Sequence, residues 1–296
     1  KLVLNCGVDT KVSDDFEELV KRKIAFPIKP FFESYKIIQI EDNNNSKTAL
    51  PFIIVGSGLA AIEMALALRK RWRERHLILV CNQRKISQKF ILILKHHRIQ
   101  IQSTLNCNFH KILLCTGNAP LYWIKNNLLD LDDRGRIITD KKLRVKNLQG
   151  IFAVGDCASI AGNKVDSSGI VAVKSVKTLA NNLFNENSTK ELKNWKPQKS
   201  GLQIVNIFDS DNKKSVAVYK GKIFGPSKFF WYLKNKIDCE FIKKFKISIM
   251  KSNTENSLMK NLDCRGCGAK ISQKVLNNSL RNSDLDKFVD NPEDAS

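Results

Sequence analysis

The sequence has no apolar run that approaches the length needed to cross a bilayer, and acidic residues are few. Asp and Glu number 29 against 50 Lys and Arg, which gives a formal net charge of +21 at pH 7. Such an excess is typical of proteins that bind nucleic acid or anionic membranes. Here the charge is spread along the whole chain, and no pattern of a nucleic-acid-binding module occurs. We therefore expect no nucleic-acid partner and interpret most of the excess as compositional drift at solvated positions.

Cysteines are scattered, which argues against a disulfide framework. Eight occur in 296 residues, and only Cys264 and Cys267 are close in sequence. The start of the chain lacks the layout of a secretory signal, so a reducing cytoplasm is the expected compartment. Residues 1–7 lack an initiator Met and have the pattern of a strand interior, so we expect a fragment. The length and a hydrophobic content of 43% suffice for one large or two medium domains.

The strongest local signal is a glycine-rich turn between a strand and a helix. Residues 52–55 form a continuous apolar run, typical of parallel strands buried on both faces, and residues 60–72 have helical spacing. Between them, Gly56 permits a tight turn, Gly58 lets the backbone approach a pyrophosphate, and Ala61 allows close helix packing. The amino end of the helix then offers N–H groups to phosphates. The pattern predicts a dinucleotide site in an α/β domain.

The residue that usually binds the ribose is missing from this pattern. A carboxylate at the end of the second strand normally takes the ribose hydroxyls of NAD, but residues 80–84 read Val-Cys-Asn-Gln-Arg. Arg84 favours a 2′-phosphate, or else the site has decayed. Glu63 is either a carboxylate that faces the ribose or a solvated helix residue with a favourable dipole contact. The sequence therefore leaves NAD and NADP open.

Two further apolar strands end in residues that suit a second nucleotide site. Thr116 and Gly117 close one strand, either near a flavin or as a plain strand-to-loop turn. Residues 150–154 lead to Gly155 and Asp156 before an expected helix. There the glycine permits approach to a phosphate, and the carboxylate can accept a hydrogen bond from a ribitol hydroxyl; the alternative is a buried strand followed by an Asp N-cap. Cys157 has no close sequence partner, so we expect a small buried hydrophobic residue and no thiol relay.

Aromatic and basic residues are concentrated between residues 220 and 251. A helix of this composition can lie on an anionic membrane surface. The alternative is a helix packed on its own core, with lysines reaching outward, and a stripe of Ile237, Phe241 and Phe245 favours it. The tail motif at 263–271 combines a Cys-x-x-Cys with a lysine. Because no Cys or His follows it, we expect no metal site, whereas its glycine-rich loop suits phosphoryl transfer.

Taken together, segments 56–63, 114–117 and 150–158 resemble the FAD-dependent pyridine nucleotide-disulfide oxidoreductases, in particular type II NADH dehydrogenases. The resemblance implies an α/β, Rossmann-like flavoprotein fold with two dinucleotide-binding domains, here incomplete, and a small α+β carboxy-terminal block. It implies FAD and NAD(P)H as cofactors, small-molecule substrates and an unknown electron acceptor. The cofactor-binding residues that it implies are Gly56, Gly58, Ala61, Glu63, Thr116, Gly117, Gly155 and Asp156, with Asp156 holding the ribityl chain.

The tail resembles the amino-terminal catalytic segment of selenide, water dikinase (selenophosphate synthetase). This implies catalytic roles for Cys267 and Lys270, with ATP and Mg²⁺ serving the full-length dikinase module. The expected function is thus an FAD-dependent NAD(P)H oxidoreductase module of a bifunctional cytoplasmic protein, and a peripheral membrane contact is the alternative that residues 220–251 leave open. The alternative is a degraded nucleotide-binding scaffold, without redox activity, that serves the dikinase. The expected domains are 1–48 (FAD-domain remnant and connection), 49–118 (NAD(P)-binding), 119–190 (second FAD part), 200–246 (α+β block), 247–262 (linker) and 263–296 (dikinase start).

Overall fold

A computed structural model describes residues 1–44, 50–106, 108–125, 129–163, 168–198, 200–208 and 213–243. The chain divides into two compact units, Lys1–Trp231 and Tyr232–Ser296. The strands are β1 Leu2–Leu4, β2 Asp9–Thr10, β3 Ala25–Pro27, β4 Phe52–Val55, β5 Leu77–Val80, β6 Gln100–Gln102, β7 Lys111–Leu114, β8 Asn118–Ala119, β9 Ile137–Thr139, β10 Ile151–Ala153, β11 Ala158–Ile160, β12 Gln203–Phe208, β13 Lys213–Tyr219 and β14 Lys222–Ser227. The helices are α1 Asp14–Lys21, α2 Phe31–Asn44, α3 Leu59–Arg71, α4 Gln88–His96, α5 Tyr122–Lys125, α6 Gly169–Asn185 and α7 Lys228–Lys243.

A five-stranded parallel sheet in the order β3-β7-β4-β5-β6 forms the centre of the first unit. All residues of β4 and β5 are buried, as expected for strands covered on both faces. Successive residues of β4 face opposite cores: Ile54 lies in the core beneath α3, and Ile53 in the core on the other face. The expected α/β fold with a parallel sheet is therefore confirmed, and the predicted bounds of β4 and β5 match the observed ones.

The order of the strands creates a switch point between β4 and β7. From β4 the chain proceeds outward through β5 to β6, and it then returns to β7 on the opposite side of β4. In open α/β sheets the connections on the two sides of such a point diverge, which leaves a crevice beyond the carboxyl ends of the two strands. The turn at Gly56 follows β4, and Thr116 follows β7. The fold thus brings two of the predicted sites to one edge of the sheet.

A second set of short sheets contains the strand that leads to Asp156. β1 pairs in parallel with β10, which is distant from it in sequence, and β9 pairs in parallel with the nearby β11. After β10 the chain makes a 3-10 turn at Gly155–Cys157 and enters β11. The helix α6 begins only at Gly169, where Ser168 accepts a hydrogen bond from the N–H of Val171. The helix expected after Asp156 is therefore present as α6, but a further strand, β11, lies between the two.

The region assigned to a connection also contributes to the central sheet. β3 is an edge strand of that sheet, and Phe26 and Ile38 lie in the same core as α3. β2 and β8 form an antiparallel pair beside it. The antiparallel meander β12-β13-β14 adds Val205, Ile207 and Val216 to that core, so the α+β block packs on the central sheet through α3. The proposed domain limits themselves stay predictions.

The helix α7 contains the aromatic and basic residues noted in the sequence, and it has no buried residue. Ile237 is 48% exposed, so the proposed core stripe is not formed by that residue. Phe245, the linker and the whole tail motif, with Cys264, Cys267 and Lys270, lie outside the described residues. Within the described part of the chain, no helix is both long enough and apolar enough to span a membrane.

Candidate functional site

The glycine loop after β4 is tightly packed at its first glycine. Gly56 has a φ of +150°, and a Cβ placed on it would lie 2.3 Å from the carbonyl oxygen of Cys115 and 3.1 Å from the Cβ of Ala61. Ala61 is fully buried. Gly56 and Ala61 therefore allow the turn, the helix and the end of β7 to approach one another, as the sequence predicts.

The second glycine of the loop faces open space. Gly58 is the N-cap of α3, and it supplies no side chain to cap the N–H groups of the first turn. A Cβ placed there would meet no atom within 4 Å. Helix N-termini carry unsatisfied N–H groups and a partial positive charge, which suit a phosphate group. The amino end of α3 can thus accept an anionic group at the switch point.

The end of β5 is connected to this loop but has no carboxylate. The backbone N–H of Asn82 donates a hydrogen bond of 2.9 Å to Ser57 Oγ, which holds the end of β5 beside the glycine turn. Arg84 lies in a 3-10 turn just after this point and is exposed. Glu63 is half-buried on α3. An exposed arginine in this position can meet an anionic substituent of a ribose, although neither alternative for Glu63 is decided by its placement.

Thr116 and Gly117 connect the central sheet to the β2–β8 pair. Thr116 Oγ1 donates a hydrogen bond to the carbonyl oxygen of Lys11, and the N–H of Lys11 donates one of 3.0 Å to the carbonyl oxygen of Gly117. Gly117 has a φ of +108°, in the region that favours glycine. The two residues form a crossing point between the strands, immediately beside the residue that contacts Gly56.

Asp156 lies in the 3-10 turn after β10, and Val154, not Asp156, is the N-cap of that turn. The N-cap alternative is therefore wrong. The Asp156 carboxylate is 27% exposed and lies 3.6 Å from Nζ of Lys29. Gly155 has a φ of +78°, and a Cβ on it would lie 2.6 Å from Oδ1 of Asn5. The space that a side chain at position 155 would need is thus taken by Asn5, and the approach of a phosphate to Gly155 stays a prediction.

Lys29 contacts both the segment after β7 and the turn that contains Asp156, and the sequence analysis did not identify it. Its ammonium contacts Asp156 and lies 3.1 Å from Oδ1 of Asn118, and its backbone N–H donates to Thr10 Oγ1 at 2.9 Å. A continuous path of contacts therefore runs from Gly56 through residues 115–118 to Lys29 and Asp156. The only sequence signal was a lysine between two prolines, which by itself indicates an extended segment.

A small cavity lies behind the Asp156 turn. It measures about 30 Å³ and is lined in part by Arg136, Ser159, Ser175 and Trp195. Small-molecule sites are typically ~300 Å³ or larger, so this cavity suits one water molecule and not a flavin ring. A cofactor held by Asp156 must therefore approach the turn from its exposed side, where Lys29 lies.

The sequence analysis also missed Cys6, whose thiol is a hydrogen-bond partner of Cys157. The Cys6 thiol hydrogen-bonds Cys157 and, with the N–H groups of Cys6 and Gly7, lowers the Cys157 pKa to about 7 despite burial. Both residues belong to one apolar cluster. The expectation that no cysteine pair lies near Asp156 is therefore wrong, because the pairing of β1 with β10 brings together residues distant in sequence. By contrast, burial raises the pKa of Cys115 to about 12.

Comparison with known proteins places this fold. No model of a known protein family matches the chain. A curated relative, a probable NADH dehydrogenase of Dictyostelium discoideum, is 31% identical over 99 residues, which are 33% of this chain and 21% of the relative. A NAD-dependent persulfide reductase from A. fulgidus matches with a TM-score of 0.55 at 17% identity, covering 73% of this chain and 43% of the other.

Two further solved structures have a similar fold. The water-forming NADH oxidase of Lactobacillus brevis bound to NADH matches with a TM-score of 0.54 at 17% identity, covering 74% of this chain and 52% of the other. An engineered NADPH oxidase bound to NADPH matches with a TM-score of 0.53 at 18% identity, covering 73% of this chain and 51% of the other. The chain spans about a fifth of the curated relative and about half of the solved structures. The chain shares the α/β, Rossmann-like fold of these solved structures.

Proposed function

We propose that this chain is part of an NAD(P)H-dependent flavoprotein oxidoreductase. In this proposal the loop at Gly56 and Gly58 binds the pyrophosphate of the nicotinamide nucleotide, and Asp156 contacts FAD. The observation that carries the proposal is the unfilled space around Gly58, at the uncapped amino end of α3 and at the switch point of the sheet. The names of the relatives, a probable NADH dehydrogenase and NADH-bound oxidases, support the same class of reaction.

The residues of the chain bind and orient, while the cofactor supplies the redox chemistry. Bound FAD would supply the redox chemistry, that is, the transfer of electrons from the nicotinamide to an acceptor. The amino end of α3 attracts phosphate groups, Thr116 and Gly117 fix the crossing of the two halves, and Asp156 accepts a hydrogen bond from a ribityl hydroxyl. Lys29, whose ammonium lies 3.6 Å from the Asp156 carboxylate, orients that carboxylate.

We further propose that the nucleotide is NADPH in preference to NADH. No acidic residue occurs between Asn82 and Lys85 to accept the ribose hydroxyls, whereas Arg84 is exposed at this point. A guanidinium recognises a 2′-phosphate through charge-assisted hydrogen bonds. An Arg84→Ser variant should therefore lose affinity for NADPH while its affinity for NADH changes little.

The experiment that tests the nucleotide site uses two matched glycine variants. Gly58→Ala places a methyl group where the phosphate would approach but meets no atom of the protein. Gly169→Ala makes the same change at the first turn of α6, also in open space. Binding of NADH and NADPH is measured by nicotinamide fluorescence, with folding monitored by circular dichroism. We expect Gly58→Ala to weaken binding about tenfold, equivalent to about 1.4 kcal/mol, and Gly169→Ala to leave it unchanged.

The alternative, a nucleotide-binding scaffold without redox activity, is favoured by the missing carboxylate after β5 and by the packing of Asn5 against Gly155. The two proposals differ in their optical signature. An oxidoreductase purifies with, or takes up, FAD, and its flavin absorbance bleaches with NAD(P)H. A colourless chain that never takes up FAD would support the scaffold and refute the oxidoreductase.

The dikinase module is a separate proposal, supported by the resemblance of the tail motif alone. Cys267 and Lys270 lie outside the described residues, so their catalytic roles, and the roles of ATP and Mg²⁺, stay predictions. In the full-length protein, Cys267→Ser or Lys270→Ala should abolish selenophosphate formation, as followed by phosphorus NMR. Unchanged product would contradict it. Contact of α7 with an anionic membrane surface likewise stays a prediction, which vesicle flotation can test.

A further inference from the structure

The ends of β1 and β10 bring two cysteines together. Cys157 is 1% exposed, and its sulfur lies 3.3 Å from the carbonyl oxygen of Val154 and 3.6 Å from that of Leu4. Cys6, two residues beyond Leu4, is only partly buried and packs against Cys157 in the same cluster. Both are thiols in the structure. The parallel register of Leu4 with Ala153 therefore places a partly accessible thiol beside a buried one.

The groups around the two cysteines favour loss of the Cys157 thiol proton and then formation of a bond between the two sulfurs. The Cys6 thiol and the N–H groups of Cys6 and Gly7 hydrogen-bond the Cys157 sulfur, and they lower its pKa to about 7. A thiolate is the nucleophile in disulfide formation. Hydrogen-bonded sulfurs need a movement on the order of 2 Å to reach the ~2.05 Å of a disulfide bond.

We infer that Cys6 and Cys157 form a reversible thiol–disulfide site that hydrogen peroxide oxidises. The disulfide links segment 5–7 covalently to the turn that contains Asp156. The site does not require a bound flavin or nicotinamide. It is distinct from a Cys-x-x-Cys motif, because its two cysteines are distant in sequence and follow two strands that pair with each other. Its geometry rests on the pairing of β1 with β10.

The order of the two steps follows from accessibility. The sulfur of the more accessible Cys6 attacks peroxide, the O–O bond breaks, and water leaves, so that Cys6 becomes a sulfenic acid. The Cys157 thiolate then attacks the Cys6 sulfur, the S–O bond breaks, and the departing hydroxide takes up a proton as a second water. Two thiols have lost two electrons and two protons to one peroxide. A dithiol reductant reverses the reaction by exchange.

The test begins with the natural sequence. The full chain is treated with hydrogen peroxide, remaining thiols are alkylated under denaturing conditions, and peptides are mapped by mass spectrometry. We expect a cross-linked peptide pair that contains Cys6 and Cys157, lighter by two hydrogen atoms and released by a dithiol. Separately alkylated Cys6 and Cys157 after peroxide treatment would overturn the inference, as would a cross-link of either residue to a different cysteine.

A variant with fewer cysteines allows the thiols that peroxide removes to be counted. With Cys107, Cys239, Cys264 and Cys267 replaced by Ser, only Cys6, Cys81, Cys115 and Cys157 remain of the eight. Peroxide should then remove two of these four thiols. Adding Cys6→Ser should leave all three remaining thiols alkylatable at the same exposure, since Cys157 is buried. Equal loss of the Cys157 thiol with and without Cys6 would contradict the proposed order and the pair itself.

Discussion

The sharpest prediction for stability concerns a buried ion pair between α2 and the segment before β5. Glu41 and Arg75 side chains are 2% and 1% exposed, and Nη2 of Arg75 donates a hydrogen bond of 2.7 Å to Oε2 of Glu41. The guanidinium also lies over the ring of Trp72, at 4.7 Å from its centroid. His110 contacts the same carboxylate at 3.2 Å. Glu41→Gln keeps the shape but removes the charge that balances Arg75.

The size of the effect follows from burial. Breaking a buried pair by removing one partner leaves an uncompensated charge and costs about 3–5 kcal/mol. The Gln oxygen can still accept one hydrogen bond, so we expect the lower end, about 3 kcal/mol. Domains are stable by only ~5–15 kcal/mol, so the loss is a large fraction. Nε of Arg75 has no hydrogen-bond partner in the structure, which limits any compensation.

The neighbouring residue supplies the control. Asp42 pairs with Arg71, but these side chains are 33% and 38% exposed. The hydrogen bond from Arg71 lowers the pKa of Asp42. The stability that the ionised Asp42 carboxylate contributes is therefore fully present above the ordinary pKa of Asp, and it is lost only as the pH falls through the lowered pKa of Asp42. At pH 7, Asp42→Asn should cost about 1 kcal/mol or less, because exposed pairs contribute little.

The assay is urea unfolding followed by circular dichroism at pH 7. With a slope of ~2–3 kcal/mol per molar urea, Glu41→Gln should lower the midpoint by about 1 M or more, and Asp42→Asn by much less. Adding Arg75→Met to Glu41→Gln should recover at least ~1 kcal/mol, because the orphaned charge is removed. Equal midpoints for the two single variants would refute the assignment of a buried charge network.

Two further predictions concern the site. Gly56→Ala should destabilise the chain by at least ~2 kcal/mol in the same assay, because its Cβ would lie 2.3 Å from the carbonyl oxygen of Cys115 at a φ of +150°; an unchanged midpoint would contradict the packing of this turn. The Cys157 thiolate, followed in the folded chain by the ultraviolet absorbance of thiolate anions, should form through an inflection near pH 7, since the pKa of Cys157 is lowered to about 7, and Cys6→Ala should move that inflection to higher pH. Cys115, whose pKa burial raises to about 12, should stay protonated over the same range, so Cys157→Ala should abolish the inflection and Cys115→Ala should leave it unchanged.

Several elements were predictable because their signals are local. The apolar runs of β4 and β5, the helical spacing of α3 and the glycine turn between them each depend on residues within one element. Where a neighbouring element decided the outcome, prediction failed. The strand β11 lies between Asp156 and the expected helix because it pairs with β9, and Ile237 lies 48% exposed on a helix whose stripe indicated burial.

The sequence by itself determined the parallel α/β core and the tight turn at Gly56 and Gly58, because the hydrophobic pattern and the conformational needs of such a turn are set by residues within short segments. Only the tertiary structure decided that Lys29 meets Asp156, that Asn5 fills the space at Gly155, and that Cys6 meets Cys157. Asn5 and Cys6 reach their partners through the parallel pairing of β1 with β10, and Lys29 follows β3 at the edge of the central sheet. Such pairing joins residues more than a hundred positions apart, and no local periodicity records which strand will lie beside which.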